Sequence, residues 1–247
     1  MCRVSYAGHV ITWVGRRPQR ADIPRLKPRG ESRAARRVDI ADLVPEPVTY
    51  LAQAAYFQLG VFESLALAIA TAPSIHAKEN LSTAAGRVLA KHHGLVAEMK
   101  RRGNDPAEAM ASFARQLDGF RQATLGSDWA ELLLWCFLTA GFLDDFFIRL
   151  SAGLPSDIGP RAAQILGEDE GTHMIVTELR AAIAMDQGLA SRLALWGRRL
   201  VGDTLLVARS AIHATGDLAS DESRIEPVFT ELIAAHTRRM DSLGLTA

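Results

Sequence analysis

The chain has 247 residues, of which 48% are hydrophobic but only 6% aromatic, so its apolar volume is mostly Ala and Leu. These residues are strong helix formers. The zero net charge combines a basic segment, residues 1–40 with ten Lys or Arg and three Asp or Glu, with an acidic remainder. The two cysteines, Cys2 and Cys136, exclude a disulfide framework and favour a reducing, cytoplasmic setting. The longest apolar run, residues 132–143, is too short for a membrane span, so no membrane contact is expected.

The first 44 residues show no sustained apolar periodicity and carry three prolines among the arginines. This composition is typical of a disordered extension. We therefore predict a flexible basic extension over residues 1–44, in preference to an arm that contacts nucleic acid or a membrane. The folded domain is expected to occupy residues 45–247.

Long stretches of helical periodicity follow, each ended by Pro, Gly or a capping residue. Seven helices are predicted in chain order, over residues 48–72, 77–102, 106–123, 129–151, 159–185, 189–214 and 222–243. Long helices joined by short turns pack as antiparallel neighbours. The pattern thus predicts an all-α fold, a four-helix bundle with additional C-terminal helices.

Two halves of the predicted bundle resemble each other. Residues 59–65 of the first helix align with residues 140–146 of the fourth, so that Glu63 is aligned with Asp144. His93 follows Glu63 by thirty residues, and His173 follows Asp144 by 29. This order suggests an internal duplication.

Residues of this kind, in this order, are typical of a di-iron carboxylate bundle, in which two helices each offer one carboxylate and two others each offer a Glu-x-x-His pair. Glu170 and His173 would form one such pair. We therefore expect five side chains to meet in the core as metal ligands, namely Glu63, His93, Asp144, Glu170 and His173. Ala90 stands where the second pair would have its glutamate. Ordinary explanations stay open: the carboxylates could be paired with arginines, His93 could be a core histidine, and Glu-x-x-His could be a chance spacing.

With these helices and residues in place, the chain resembles the ferritin-like superfamily, and more narrowly the actinobacterial ferritin-like proteins grouped with the tRNA 2-methylthio-N6-isopentenyladenosine hydroxylases. The resemblance extends from about residue 50 to residue 214 and depends on residues 56–63, 141–147 and 193–200. It implies a ferritin-like four-helix bundle and a non-haem di-iron monooxygenase that hydroxylates an isopentenyl group on a tRNA adenosine. The implied cofactor is iron, as one or two ions, or none if the loss of a carboxylate at Ala90 has disabled the site.

Two functions follow from these expectations. The first is an iron hydroxylase with tRNA as its partner, with Tyr56 supporting Glu63 and an electron donor that the sequence does not indicate. The second is a catalytically inactive ferritin-like scaffold or interaction protein. In either case the apolar faces of the last two helices favour a homodimer.

Overall fold

The computed structural model describes residues 43–212 and 218–246, so almost all of the predicted basic extension lies outside the described residues. Within them the chain forms eight α-helices and no β-strand, which confirms the all-α prediction. The helices are α1 (Pro47–Ala70), α2 (Ile75–Arg101), α3 (Pro106–Thr124), α4 (Trp129–Leu150), α5 (Gly159–Leu166), α6 (Thr172–Met185), α7 (Gln187–Ser210) and α8 (Leu218–Ser242).

Side-chain caps define several helix starts. Ser74 accepts a hydrogen bond from the backbone N–H of Ala77 at the start of α2. Asp105 caps α3 with Pro106 in its first turn, and Asp128 caps α4. Each cap satisfies backbone N–H groups that lack a partner within the helix. The predicted starts of α3 and α4, at residues 106 and 129, are therefore correct.

Helix α4 lies at the centre of the fold. Residues 130–139 are all buried, and α4 packs against α1, α5, α6, α7 and α8. A helix that is apolar on every side is stable only when other elements surround it. The Tyr50 hydroxyl donates to the carbonyl of Phe147 at 2.7 Å and joins α1 to this central helix.

Helix α1 is long and apolar enough to cross a membrane by length and composition alone. In the fold, 56% of its most apolar window is buried inside the protein. It packs against α2, α3 and α4. These contacts make α1 a core helix of the bundle.

The predicted helix over residues 159–185 is wrong, because the structure divides it into α5 and α6. Gly167 ends α5, and residues 168–171 form a connecting turn. A Cβ atom at Gly171 would lie 3.1 Å from Cα of Ala84, so this turn packs directly on the backbone of α2. Since Glu170 lies in the turn, Glu170 and His173 do not share a helical face.

Candidate functional site

A buried polar cluster joins three helices around Asp144 of α4. Gln58 of α1 donates to the Asp144 carboxylate at 2.6 Å, and the Lys91 ammonium of α2 donates to it at 2.7 Å. The Lys91 side chain is 9% exposed and that of Asp144 is 14% exposed. The two charges are therefore paired at short range and largely shielded from water.

Burial dominates the electrostatics of this cluster. It raises the pKa of Asp144, and the charge and hydrogen bond of Lys91 oppose that shift together with Gln58. Removing one partner of a buried ion pair leaves an uncompensated charge and costs about 3–5 kcal/mol. Each of these two residues can thus be buried in the core because the other compensates its charge.

A cleft of about 210 Å³ lies over this ion pair. We call it the core cleft. Its apolar wall comes from α1, α2, α4 and α6, and includes Val61, Val88, Phe137, Ile148 and Ile175. Its polar lining includes Lys91, Asp144, Asp145 and Arg239, with Glu168 and Asp169 at the exposed rim. The combination of an apolar wall and a few convergent polar groups is typical of a small-molecule site.

Arg239 of α8 borders the core cleft and lies across Gly141 of α4. A Cβ atom at Gly141 would be 2.4 Å from Nε of Arg239, so a glycine is needed for this approach. Nη2 of Arg239 donates to Asp145 at 2.8 Å. Nη1 is buried and has no hydrogen-bond partner among the described residues. A buried donor of this kind costs about 1–3 kcal/mol unless an acceptor is supplied.

The two expected glutamate ligands lie on the surface. Glu63 is 48% exposed and forms an ion pair with Arg121 of α3 at 2.6 Å. Glu170 is 68% exposed and forms an ion pair with Arg87 of α2 at 2.6 Å. The expectation that they meet Asp144 in the core is therefore wrong, and both are carboxylates paired with an arginine from a neighbouring helix.

The expected histidines are also exposed, as is Ala90. The buried histidine of α2 is His92, whose Nδ1 lies 2.9 Å from the carbonyl oxygen of Ala55. The expectation that His93 faces the core is thus wrong, and the neighbouring His92 takes the inward position. One helical position is 100° of rotation, so an error of one residue moves a side chain from the core to the surface. Ala90 does not mark a gap in the core, and neither His93 nor His173 reaches Asp144.

Tyr56 does not support a metal ligand. Its hydroxyl donates to Asp118 of α3 at 3.0 Å. Burial and this hydrogen bond raise its pKa. Tyr56 therefore belongs to the contact between α1 and α3, which also includes the Glu63–Arg121 pair.

A family model described as the ferritin-like domain of actinomycetes matches residues 45–220. The chain belongs to this family. No curated protein matches the sequence significantly. The family assignment agrees with the helical bundle and with the resemblance to the ferritin-like superfamily.

The described residues around Asp144 do not offer the ligands that a di-iron centre requires. At the level of Asp144, α1 contributes Gln58 and α2 contributes Lys91, each in hydrogen-bond contact with that carboxylate. Thr172 and Ile175 line the same cleft at the spacing of a Glu-x-x-His pair. Among the described residues no three His, Cys, Asp or Glu side chains come close enough to hold a metal ion. These four residues offer an amide, an ammonium, a hydroxyl and an alkyl group, whereas a di-iron centre uses carboxylates and imidazoles, so they do not fit two iron ions.

The sequence analysis did not predict the roles of Gln58 and Lys91, although the sequence carries a signal for both. Each interrupts an otherwise apolar stripe with alternating spacings of three and four residues. The stripes are Leu51, Ala54, Gln58, Val61, Leu65 and Ala68 on α1, and Ala77, Leu81, Ala84, Val88, Lys91 and Leu95 on α2. Polar residues on such a stripe face the partner helices and need partners there.

Proposed function

We propose that this protein is a ferritin-like scaffold that acts by binding or interaction, with an ion pair in place of a di-iron centre. The observation that carries the proposal is the 2.7 Å contact between Lys91 and Asp144 in the centre of the bundle. The ammonium group supplies the positive charge that a carboxylate in this position would otherwise take from a metal ion.

Electrostatics favour the ion pair over bound iron. A metal ion at Asp144 would have to displace Lys91 and would lie close to its ammonium in a poorly solvated space. Like charges at such distances repel strongly when water is excluded. Among the described residues, Asp144 is the one carboxylate paired with Lys91, and its neighbour Asp145 is engaged by Arg239. The local charge balance therefore opposes a divalent cation.

The competing hypothesis is a di-iron hydroxylase that acts on tRNA. It would require the exposed ligands Glu63, Glu170 and the two histidines to move into the core, and it would require both arginine ion pairs to break. No described contact prepares for that movement. The tRNA partner and the homodimer stay predictions from sequence.

Anaerobic loading with Fe(II), followed by desalting and metal analysis, separates these functions. We expect the wild-type chain to retain little iron. The variant Q58E/K91E/T172E provides carboxylates at three positions around Asp144 and should gain iron, since carboxylates are the ligands that such sites use. Lys100→Glu adds a carboxylate at an exposed position on the same helix and should not.

Stoichiometric iron in the wild-type protein, lost on Asp144→Asn, would contradict the proposal. Circular dichroism of each variant would show that its helices are intact. If the triple variant does not fold, the wild-type and Asp144→Asn measurements still decide the question.

A further inference from the structure

From the unused donors and the charge balance of the core cleft, we infer that it binds a small neutral molecule with an apolar, ring-sized body and a carbonyl oxygen. The carbonyl oxygen accepts a hydrogen bond from Lys91, and the body packs on the apolar wall. This inference goes beyond the scaffold role and rests on the contacts of the cleft itself.

Two cationic side chains at the cleft have donors left over. An ammonium group carries three N–H donors, and among the described residues Lys91 Nζ donates to Asp144 alone. Nine-tenths of the Lys91 side chain is buried, so bulk water reaches it poorly. Arg239 also has an Nη1 without a partner in the described part of the chain, but this atom is buried below the surface of the cleft. The remaining donors of Lys91 are therefore the ones for which a ligand with oxygen lone pairs would supply an acceptor.

The charge of the lining decides between an anionic and a neutral acceptor. Inside the cleft, Lys91 is paired with Asp144 and Arg239 with Asp145. The rim adds two carboxylates, Glu168 and Asp169, and one guanidinium, that of Arg87, which is already paired with Glu170. An anionic ligand would meet an excess of negative charge, whereas a cationic ligand would bring no acceptor for the unused donors. A neutral carbonyl group adds no negative charge and supplies an acceptor for the unused donors.

The dimensions of the cleft set the size of the ligand. An engineered apolar cavity of roughly 150 Å³ takes up benzene, and the core cleft measures about 210 Å³. Its wall includes Phe137, Ile148 and Ile175, which offer an aromatic face and branched alkyl groups. A six-membered ring with one small polar substituent therefore fits within the cleft.

Three ligands with the same ring test the inference: benzamide, benzoate and benzylammonium. Each is titrated into the full-length wild-type chain and followed by amide NMR, in which the ring current reports contact. We expect benzamide to shift the amide signals of cleft residues such as Gly141 and Ile175. Its dissociation constant should be at least about tenfold lower than that of benzoate or benzylammonium. Equal or tighter binding of either charged ligand, or no shift with benzamide, would overturn the inference.

The donor is tested with a variant that keeps the cleft neutral. Lys91→Met combined with Asp144→Leu removes the ammonium and its counter-charge together, and benzamide should bind at least about tenfold more weakly. Lys100→Met, at an exposed position of α2, should bind as the wild type does. Unchanged affinity in a folded double variant would contradict the role of Lys91.

If the double variant does not fold, the side-chain NMR signals of Lys91 in the wild-type chain take its place, with those of the exposed Lys100 as the matched control. A shift on adding benzamide at Lys91 alone supports the inference, and no shift at Lys91 opposes it. Iron content is measured separately. Iron in the wild-type protein would therefore refute the scaffold role without altering the titration of iron-free protein.

Discussion

Two ion pairs of α2 differ in burial and therefore in their contribution to the stability of the fold. Lys91 pairs with Asp144 in the centre of the bundle, with 9% and 14% of the side chains exposed. Arg87, one helical turn earlier, pairs with Glu170 on the surface, where more than half of each side chain is exposed. Their donor–acceptor distances are nearly equal, at 2.7 and 2.6 Å. Solvent, and not contact distance, decides which pair governs stability and which can take part in a binding site.

The largest expected effect is that of Lys91→Met. It leaves the Asp144 carboxylate in the core without a counter-charge, so the free energy of unfolding should fall by about 3–5 kcal/mol in urea denaturation. Adding Asp144→Leu should restore most of that loss, because replacing a whole buried pair by apolar groups is often neutral or stabilising. The exposed control Lys100→Met should change stability by less than about 0.5 kcal/mol. A double variant no more stable than Lys91→Met would contradict this account of the pair.

Asp144 and the surface residue Asp157 should show pH dependences of opposite sign. Burial raises the pKa of Asp144 above its ordinary value of 3.8. The folded state therefore holds this proton more tightly than the unfolded state does. The resulting stabilisation is fully present below pH 3.8 and is lost as the pH rises through the folded-state pKa. The hydrogen bond from Arg102 lowers the pKa of Asp157, so its stabilisation is present above pH 3.8 and is lost as the pH falls.

These signs are measured as differences between wild type and variant over about pH 2–7. The stability of wild type relative to Asp144→Asn should decrease with rising pH. The stability of wild type relative to Asp157→Asn should increase. If the stability of wild type relative to Asp144→Asn increased with pH, the effect of Lys91 on the pKa of Asp144 would be larger than that of burial.

The smallest expected effect is that of breaking the exposed pair. Arg87→Gln and Glu170→Gln should each lower the free energy of unfolding by about 0–1 kcal/mol, because solvent screens the pair. High salt should reduce the difference further. A loss as large as that of Lys91→Met would mean that Glu170 has a role beyond its surface ion pair.

The sequence was sufficient for most of the helices because their signals are local. Caps at Asp105 and Asp128, and the apolar run of α4, predict their elements without knowledge of the partners. The helix break over residues 167–171 was missed because the turn packs on α2, where Gly171 approaches Ala84, and this is a tertiary contact.

The candidate site was less predictable. The alignment of the two halves selected Glu63 by its carboxylate, although Glu63 lies off the stripe that contains Gln58. The stripes of α1 and α2 could have identified Gln58 and Lys91 as inward-facing polar residues. Arg239 could not have been found in this way, because it enters from α8 and depends on the approach to Gly141.

Anomalous diffraction at the iron edge, from crystals soaked anaerobically in Fe(II), tests the replacement of a metal centre by an ion pair most directly. We expect no anomalous peak within coordination distance of Asp144, and Lys91 Nζ should stay within hydrogen-bond distance of that carboxylate. A peak bound to Asp144, with the Lys91 ammonium turned away from it, would contradict the account.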